Sequence, residues 1–172
     1  MNSDQIDSLW RPVLGRSAKL PSIILIVVWV MVDQGTKWWI VEKLANAPRS
    51  IRVAPFFDLV PGWNRGISFG ILAGYQVPPW VLAVFSGAVA IVLLVWLFRT
   101  DDRFVGTGLA LIIGGALGNA LDRLRHGAVV DFLAFHLAGG HWPAFNFADV
   151  GVVCGAAVLI WDSLLRSGRD TA

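Results

Sequence analysis

Residues 77–98 read Val-Pro-Pro-Trp-Val-Leu-Ala-Val-Phe-Ser-Gly-Ala-Val-Ala-Ile-Val-Leu-Leu-Val-Trp-Leu-Phe, without one charged side chain. They close the longest uncharged window of the chain, Gly66 to Phe98, which lies between Arg65 and Arg99. A helix needs about 20 mostly apolar residues to cross roughly 30 Å of hydrocarbon. This segment is long enough, and it predicts a membrane-spanning helix. Three further stretches match it. Residues 104–121 lie between Arg103 and Asp122; residues 21–41 contain Asp33 and Lys37; residues 147–165 carry Asp149 near the start and Asp162 near the end. The expected fold class is thus an all-α polytopic membrane protein, one membrane domain over residues 1–172 with four transmembrane helices. Its long connections are 43–76 and 122–146, and its short one is 99–103.

Composition agrees. The chain has 172 residues, 56% hydrophobic and only 15% charged, with nine tryptophans. Mean hydropathy is +0.64. A soluble domain of this size cannot bury so much apolar surface, and a disordered chain is excluded outright. The net charge of +2 is small and its cations are scattered, so nucleic acid is not an expected partner. Cys154 has no second cysteine to pair with, and its apolar surroundings suggest a small core filler. Ala45-Asn46-Ala47 resembles a cleavage site after a secretory signal. The preceding run is too long and too charged for a signal core, so it reads as an uncleaved first span.

Charge counting does not settle the orientation. The face with both termini carries Arg11, Arg16, Lys19, Arg99, Arg103, Arg166 and Arg169; the other carries Lys43, Arg49, Arg52, Arg65, Arg123 and Arg125. Seven against six is no bias. The two long loops share the second face, however, and long loops mark a working face. The first is partly extended: Ile51-Arg52-Val53 alternates, Phe56 to Val60 is β-prone, and Pro55, Pro61 and Gly62 punctuate it. A lone hairpin is marginal in water, so Phe56, Phe57 and Trp63 are expected to rest on the membrane surface. The second long loop holds Val129 to Leu133 and a turn at Gly139-Gly140. Gly114 with Gly118, and Gly151 with Gly155, place small residues on single helix faces, as close helix packing in lipid requires. Trp38, Trp39, Trp80, Trp96 and Trp161 fall near span ends and read as an interfacial belt.

A charge inside a span costs about 2.5–3.5 kcal/mol on insertion scales, so each needs a partner or a task. Asp33 and Lys37 are four apart and can pair on one helix face; so can Asp162 and Arg166, as an interfacial anchor. The dense polar cluster is elsewhere. Asn119, Asp122 and Arg123 close the third span, Asp131 follows in an apolar stretch, and Asn146 and Asp149 open the fourth. Asn64 can join from the first long loop. All belong to one membrane face. Two carboxylates held close share a proton, which is the apparatus of an aspartic protease. No zinc motif is present, and His126, His136 and His141 lack ligand spacing, so no metal or other cofactor is expected. Ser86 has no histidine or lysine in its helix to activate it. The residues alone leave open a proton- or ion-linked transporter or assembly subunit using the same acidic cluster. They also leave open whether Asp122 or Asp131 is the second catalytic carboxylate.

Five stretches, in order, resemble bacterial lipoprotein signal peptidases, the type II signal peptidases. They are Asp33-Gln34-Gly35-Thr36-Lys37, Asn64 to Gly70, Gly114 to Arg123, Gly127 to Phe132, and Phe145-Asn146-Phe147-Ala148-Asp149. The resemblance implies an aspartyl endopeptidase of the bacterial cytoplasmic (inner) membrane, with both termini cytoplasmic and the site at the outer face. It implies a small extracytoplasmic β-sheet subdomain from the first loop. The implied partner is a diacylglyceryl-modified prolipoprotein, cut just before its lipidated cysteine, with membrane lipids around it and a monomeric enzyme. Matched to the motifs, Asp131 and Asp149 become the catalytic pair. Asn64, Asn119 and Asn146 become positioning groups, Asp122 and Arg123 an ion-paired support, and Asp33 and Lys37 a brace for the first span.

Overall fold

In the computed structural model, residues 3–44, 50–66, 77–137 and 140–170 are described. The expected cleavage-like triplet 45–47, residues 67–70 of the Asn64 motif and Gly139 of the expected turn lie outside them. Four helices are long and apolar enough to cross a membrane. They are α1 (Ser3–Leu44, its apolar part Lys19–Leu44), α2 (Pro79–Arg99), α3 (Arg103–His126) and α4 (Phe147–Asp170). Each begins or ends where local chemistry dictates. Pro78 and Pro79 start α2, where the missing N–H costs nothing. Asp102 caps α3 by accepting from Phe104 N at 2.7 Å and Val105 N at 3.1 Å. Gly127 ends it at φ 67°, a left-handed conformation that suits glycine.

The third helix runs past its expected end at residue 121 to His126. Its last turn carries Arg123, Arg125 and His126, and cations there complement the helix dipole. It is also the central helix: 61% of its apolar window is buried, against 22% or less in the other three. Glycines let α4 lie against it. A Cβ at Gly155 would stand 2.4 Å from Gly108 O, and one at Gly115 would stand 2.2 Å from Ala148 O. Both obstacles are backbone, so neither can yield. Gly155→Ala should therefore cost about 1–3 kcal/mol by overpacking. Gly87, with nothing within 4 Å, should accept Ala with no loss. Thermal unfolding of both variants in detergent checks this contrast; equal midpoints would contradict it.

The strands are β1 (Ile51–Ala54), β2 (Phe57–Asn64), β3 (Val129–Leu137) and β4 (Gly140–His141), antiparallel and in that spatial order. The first-loop hairpin is therefore not alone. Strand β3, from the second long loop, pairs with it through Leu59↔Leu133, Gly62↔Asp131 and Asn64↔Val129. A register shift between Leu59 and Gly62 brings the two backbones so close that a Cβ on Gly62 would lie 2.7 Å from Asp131 O. This pairing fixes Asp131 beside Asn64. Phe57 is half-buried and stacks on Phe135 with centroids 4.7 Å apart, whereas Phe56 and Trp63 are exposed. The five belt tryptophans are all exposed. Cys154 is exposed too, on the outward side of α4, which corrects its reading as a core residue. Asp162 and Arg166 do pair, at 2.7 Å, and Arg166 also reaches the α3 cap Asp102.

Candidate active site

Asp149 sits in the first turn of α4, and a reciprocal cap sets its position. Asn146 Oδ1 accepts from Asp149 N at 3.0 Å, while Asn146 N donates to Asp149 Oδ2 at 3.3 Å. Its other oxygen accepts from Asn119 Nδ2 at 2.9 Å. Asp131, at the β2–β3 pairing, accepts from Asn64 Nδ2 at 2.9 Å and from Asn146 Nδ2 at 2.7 Å. Asn146 is fully buried and bridges the two carboxylates, its amide nitrogen holding one and its oxygen the backbone of the other. Burial pushes the Asp131 carboxyl up to about 6. The Asn64 hydrogen bond opposes this, and the charge of nearby Asp149 adds to it. The pair thus holds a proton into a pH range where an ordinary aspartic acid has lost it.

Behind the pair lies a second polar layer. Lys37 Nζ reaches Asp33 Oδ2 and Asp122 Oδ2 at 2.9 Å each, and donates to Asn119 Oδ1 at 3.0 Å. Asp33 also accepts from Ala148 N at 2.8 Å, so the expected brace of the first span ties α1 to the start of α4. Asp122 accepts from Val130 N at 3.1 Å, which anchors β3 one residue before Asp131. The partner of Asp122 is accordingly Lys37. Arg123 instead donates to the carbonyls of Asn119 (3.2 Å) and Gly66 (3.0 Å), within electrostatic reach of Asp149, Asp131 and Asp122. The Gly118 position allows this layer, because a Cβ there would stand 2.4 Å from Asp33 Oδ2.

All nine residues singled out from sequence meet at this end of the bundle. Four that were not foreseen matter as well. Gln34 donates to Asp122 Oδ1 at 2.8 Å and accepts from Arg125 at 3.0 Å; it lies inside the quoted Asp33–Lys37 stretch, which was its only signal. Trp29 Nε1 donates to Phe147 O at 3.1 Å and fills the space left by Gly114 and Gly151. Trp142 and Phe145 join Asp149, Val150, Val153 and Cys154 around an apolar groove of about 250 Å3. Asp149 also lines a cleft of about 210 Å3 between α2, α3 and α4, with Phe85, Ser86, Asn119 and Arg123 in its wall. One carboxylate therefore faces two apolar recesses. Among the described residues, no three His, Cys, Asp or Glu side chains are grouped to hold a metal.

Apolar helices on the outside and paired carboxylates at one end define a polytopic membrane protein with a hydrolytic type of site. The family model described as "Signal peptidase (SPase) II" matches residues 25–165. The lipoprotein signal peptidase of Rhodopseudomonas palustris (strain CGA009) is 45% identical over 145 residues, covering 81% of this chain and 88% of its own. That of Ralstonia nicotianae is 44% identical over 153 residues, covering 87% of each chain. A solved "Bacterial membrane enzyme" structure superposes with TM-score 0.68 at 30% identity, covering 88% of this chain and 92% of its own. The chain belongs to the signal peptidase II family and is a membrane protease of that family's aspartyl type. The transporter alternative finds no support among these relatives.

Proposed function

We propose that Asp131 and Asp149 are the catalytic pair of an endopeptidase that removes the signal peptide from diacylglyceryl-modified prolipoproteins. The cut falls just before the lipidated cysteine. The observation that carries this reading is the pair itself: two carboxylates bridged by Asn146, one keeping its proton to about 6. Ionised Asp149 takes a proton from water, whose oxygen attacks the scissile carbonyl carbon. Protonated Asp131 hydrogen-bonds the carbonyl oxygen as negative charge develops there. The C–N bond then breaks, the proton held by Asp149 passes to the leaving amine, and the signal peptide departs as a carboxylic acid. The two apolar recesses flanking Asp149 suit a substrate that is apolar on both sides of the cut, a signal helix and a diacylated cysteine.

In this reading the loops and sheet lie on the outer face of the inner membrane, both termini are cytoplasmic, and lipid surrounds the bundle. In the same reading the enzyme works as a monomer. The experiment is a comparison of a lipidated precursor with the same precursor carrying an unmodified cysteine, using purified enzyme in detergent. Cleavage of the lipidated form should be faster by about 100-fold or more, since remote binding energy is what positions the reacting bond. Equal rates would remove the lipid from the recognition.

The pH dependence follows from the sign of the Asp131 shift. A raised carboxyl supplies its proton at low pH and loses it as pH rises. In the free enzyme kcat/KM should therefore fall as pH rises through about 6. A profile flat from pH 5 to 9 would contradict Asp131 as the acid. The same group stabilises the fold only while protonated, and that contribution fades as pH climbs from 3.8 through about 6.

A further inference from the structure

Lys37 is buried to 3% exposure between two helices and lines neither recess, although its charge reaches Asp131. Its three acceptors, Asp33 Oδ2, Asp122 Oδ2 and Asn119 Oδ1, lie within 2.9–3.0 Å of one nitrogen. An ammonium group has three donors and no acceptor, so this set exhausts it. An ion pair between helices needs only the carboxylates. The third contact has a separate consequence. The two ends of an asparagine amide are alike in shape and opposite in function. Because Lys37 can only donate, the end of Asn119 facing it must be oxygen. The nitrogen is thereby turned to Asp149 Oδ1, where it donates at 2.9 Å.

We propose that Lys37 is a positioning residue of the catalytic pair: clamped by Asp33 and Asp122, it locks the Asn119 amide so that its N–H end faces Asp149. Asn146 Nδ2 also donates to Asn119 Oδ1, but at 3.3 Å and from a nitrogen already engaged with Asp131 at 2.7 Å. Among the described groups touching that oxygen, only Lys37 lacks an acceptor end. With the lock absent, Asn119 can present its oxygen to Asp149. Two acceptors then face each other, and the carboxylate moves from the place where it must meet water. This inference rests on the assignment of Asp149 to the pair, and it adds that α1 aligns that carboxylate from a distance.

The test separates alignment from mere bracing. Removing Lys37 alone strands two carboxylates, so the variant is Lys37→Met with Asp122→Asn, which keeps the net charge of the cluster. Asp33 retains its Ala148 N–H and its Gln34 contact. With a lipidated precursor, kcat should fall about 10- to 100-fold below that of Asp122→Asn alone, as for other groups that orient a reacting side chain, while KM stays within about twofold. In an Asn119→Ser, Asp122→Asn background, adding Lys37→Met should cause no further loss of that size, since the amide through which Lys37 acts is gone. Additive losses in that background, or a rise in KM with kcat unchanged, would overturn the proposal and leave Lys37 a brace. Should the double variant not fold, Lys37→Arg replaces it. A planar guanidinium cannot gather three acceptors on one nitrogen, so kcat should fall there too, and an unaltered kcat overturns the proposal. Failure of the parent assignment looks different: Asp149→Asn would then still cleave.

Discussion

Asp149→Asn and Asp131→Asn should each lower cleavage of a lipidated precursor by at least about 10³-fold, the upper range for loss of a general acid or base. The two losses have different causes. Asn at 149 cannot take a proton from water, although it can still accept from Asn119. Asn at 131 can donate to the scissile carbonyl but has no acidic proton. It also turns an amino group toward Asn64 or Asn146, both of which donate to this position. Neither change alters side-chain volume, so both variants should keep the wild-type helical signal and elute as folded protein. Because the two carboxylates act as one unit, the double variant should be no slower than either single one. Folded Asp131→Asn or Asp149→Asn protein that cleaves at near the wild-type rate would exclude that residue from the pair.

The largest loss of stability should come from Lys37→Met. Lys37 neutralises Asp33 and Asp122, which are 0% and 2% exposed. Removing one partner from a buried ionic cluster costs about 3–5 kcal/mol, because the remaining charges are left without compensation. Asp33 also carries the N–H of Ala148, and Asp122 that of Val130, so repulsion between them is transmitted to α4 and β3. Thermal unfolding in detergent should show the drop, and lowering the pH should recover part of it by protonating the stranded carboxylates. A midpoint indistinguishable from wild type would mean that the cluster is hydrated and not buried as described.

How much of this was readable beforehand depended on the kind of signal. Uncharged windows located α2 and α3, and long apolar stretches with only two charges each located α1 and α4, because hydrocarbon admits little charge over a fixed thickness. Windows could not locate the end of α3, since Asp122 and Arg123 look like loop charges until their buried partners are known. Apolarity could not say which side of a helix faces the bundle, for lipid is as apolar as a core. That is why Cys154 was misplaced and Trp29 was missed. The first-loop strands were legible from alternation, but their pairing with β3 joins residues about 70 positions apart, and no local pattern carries that. In the site, the cost of burying charge identified Asp33, Lys37, Asp122, Asp131 and Asp149 as residues needing an explanation. Their partition into a catalytic pair and a supporting cluster came from motif resemblance. Gln34 is polar but uncharged, so nothing in that accounting drew attention to it.

Four buried or half-buried carboxylates, Asp33, Asp122, Asp131 and Asp149, crowd this end of the bundle, and the central claim is that two of them, Asp131 and Asp149, do the chemistry. One mass measurement addresses it. The wild-type chain and its Asp122→Asn, Asp131→Asn and Asp149→Asn variants are each incubated with a lipidated precursor, and the products are weighed. The expected result is a product beginning at the lipidated cysteine from the wild-type chain, and the same product, formed more slowly, from Asp122→Asn. The other two variants should leave the precursor intact. Intact precursor from a folded Asp122→Asn chain, together with normal product from Asp131→Asn or Asp149→Asn, would contradict the assignment.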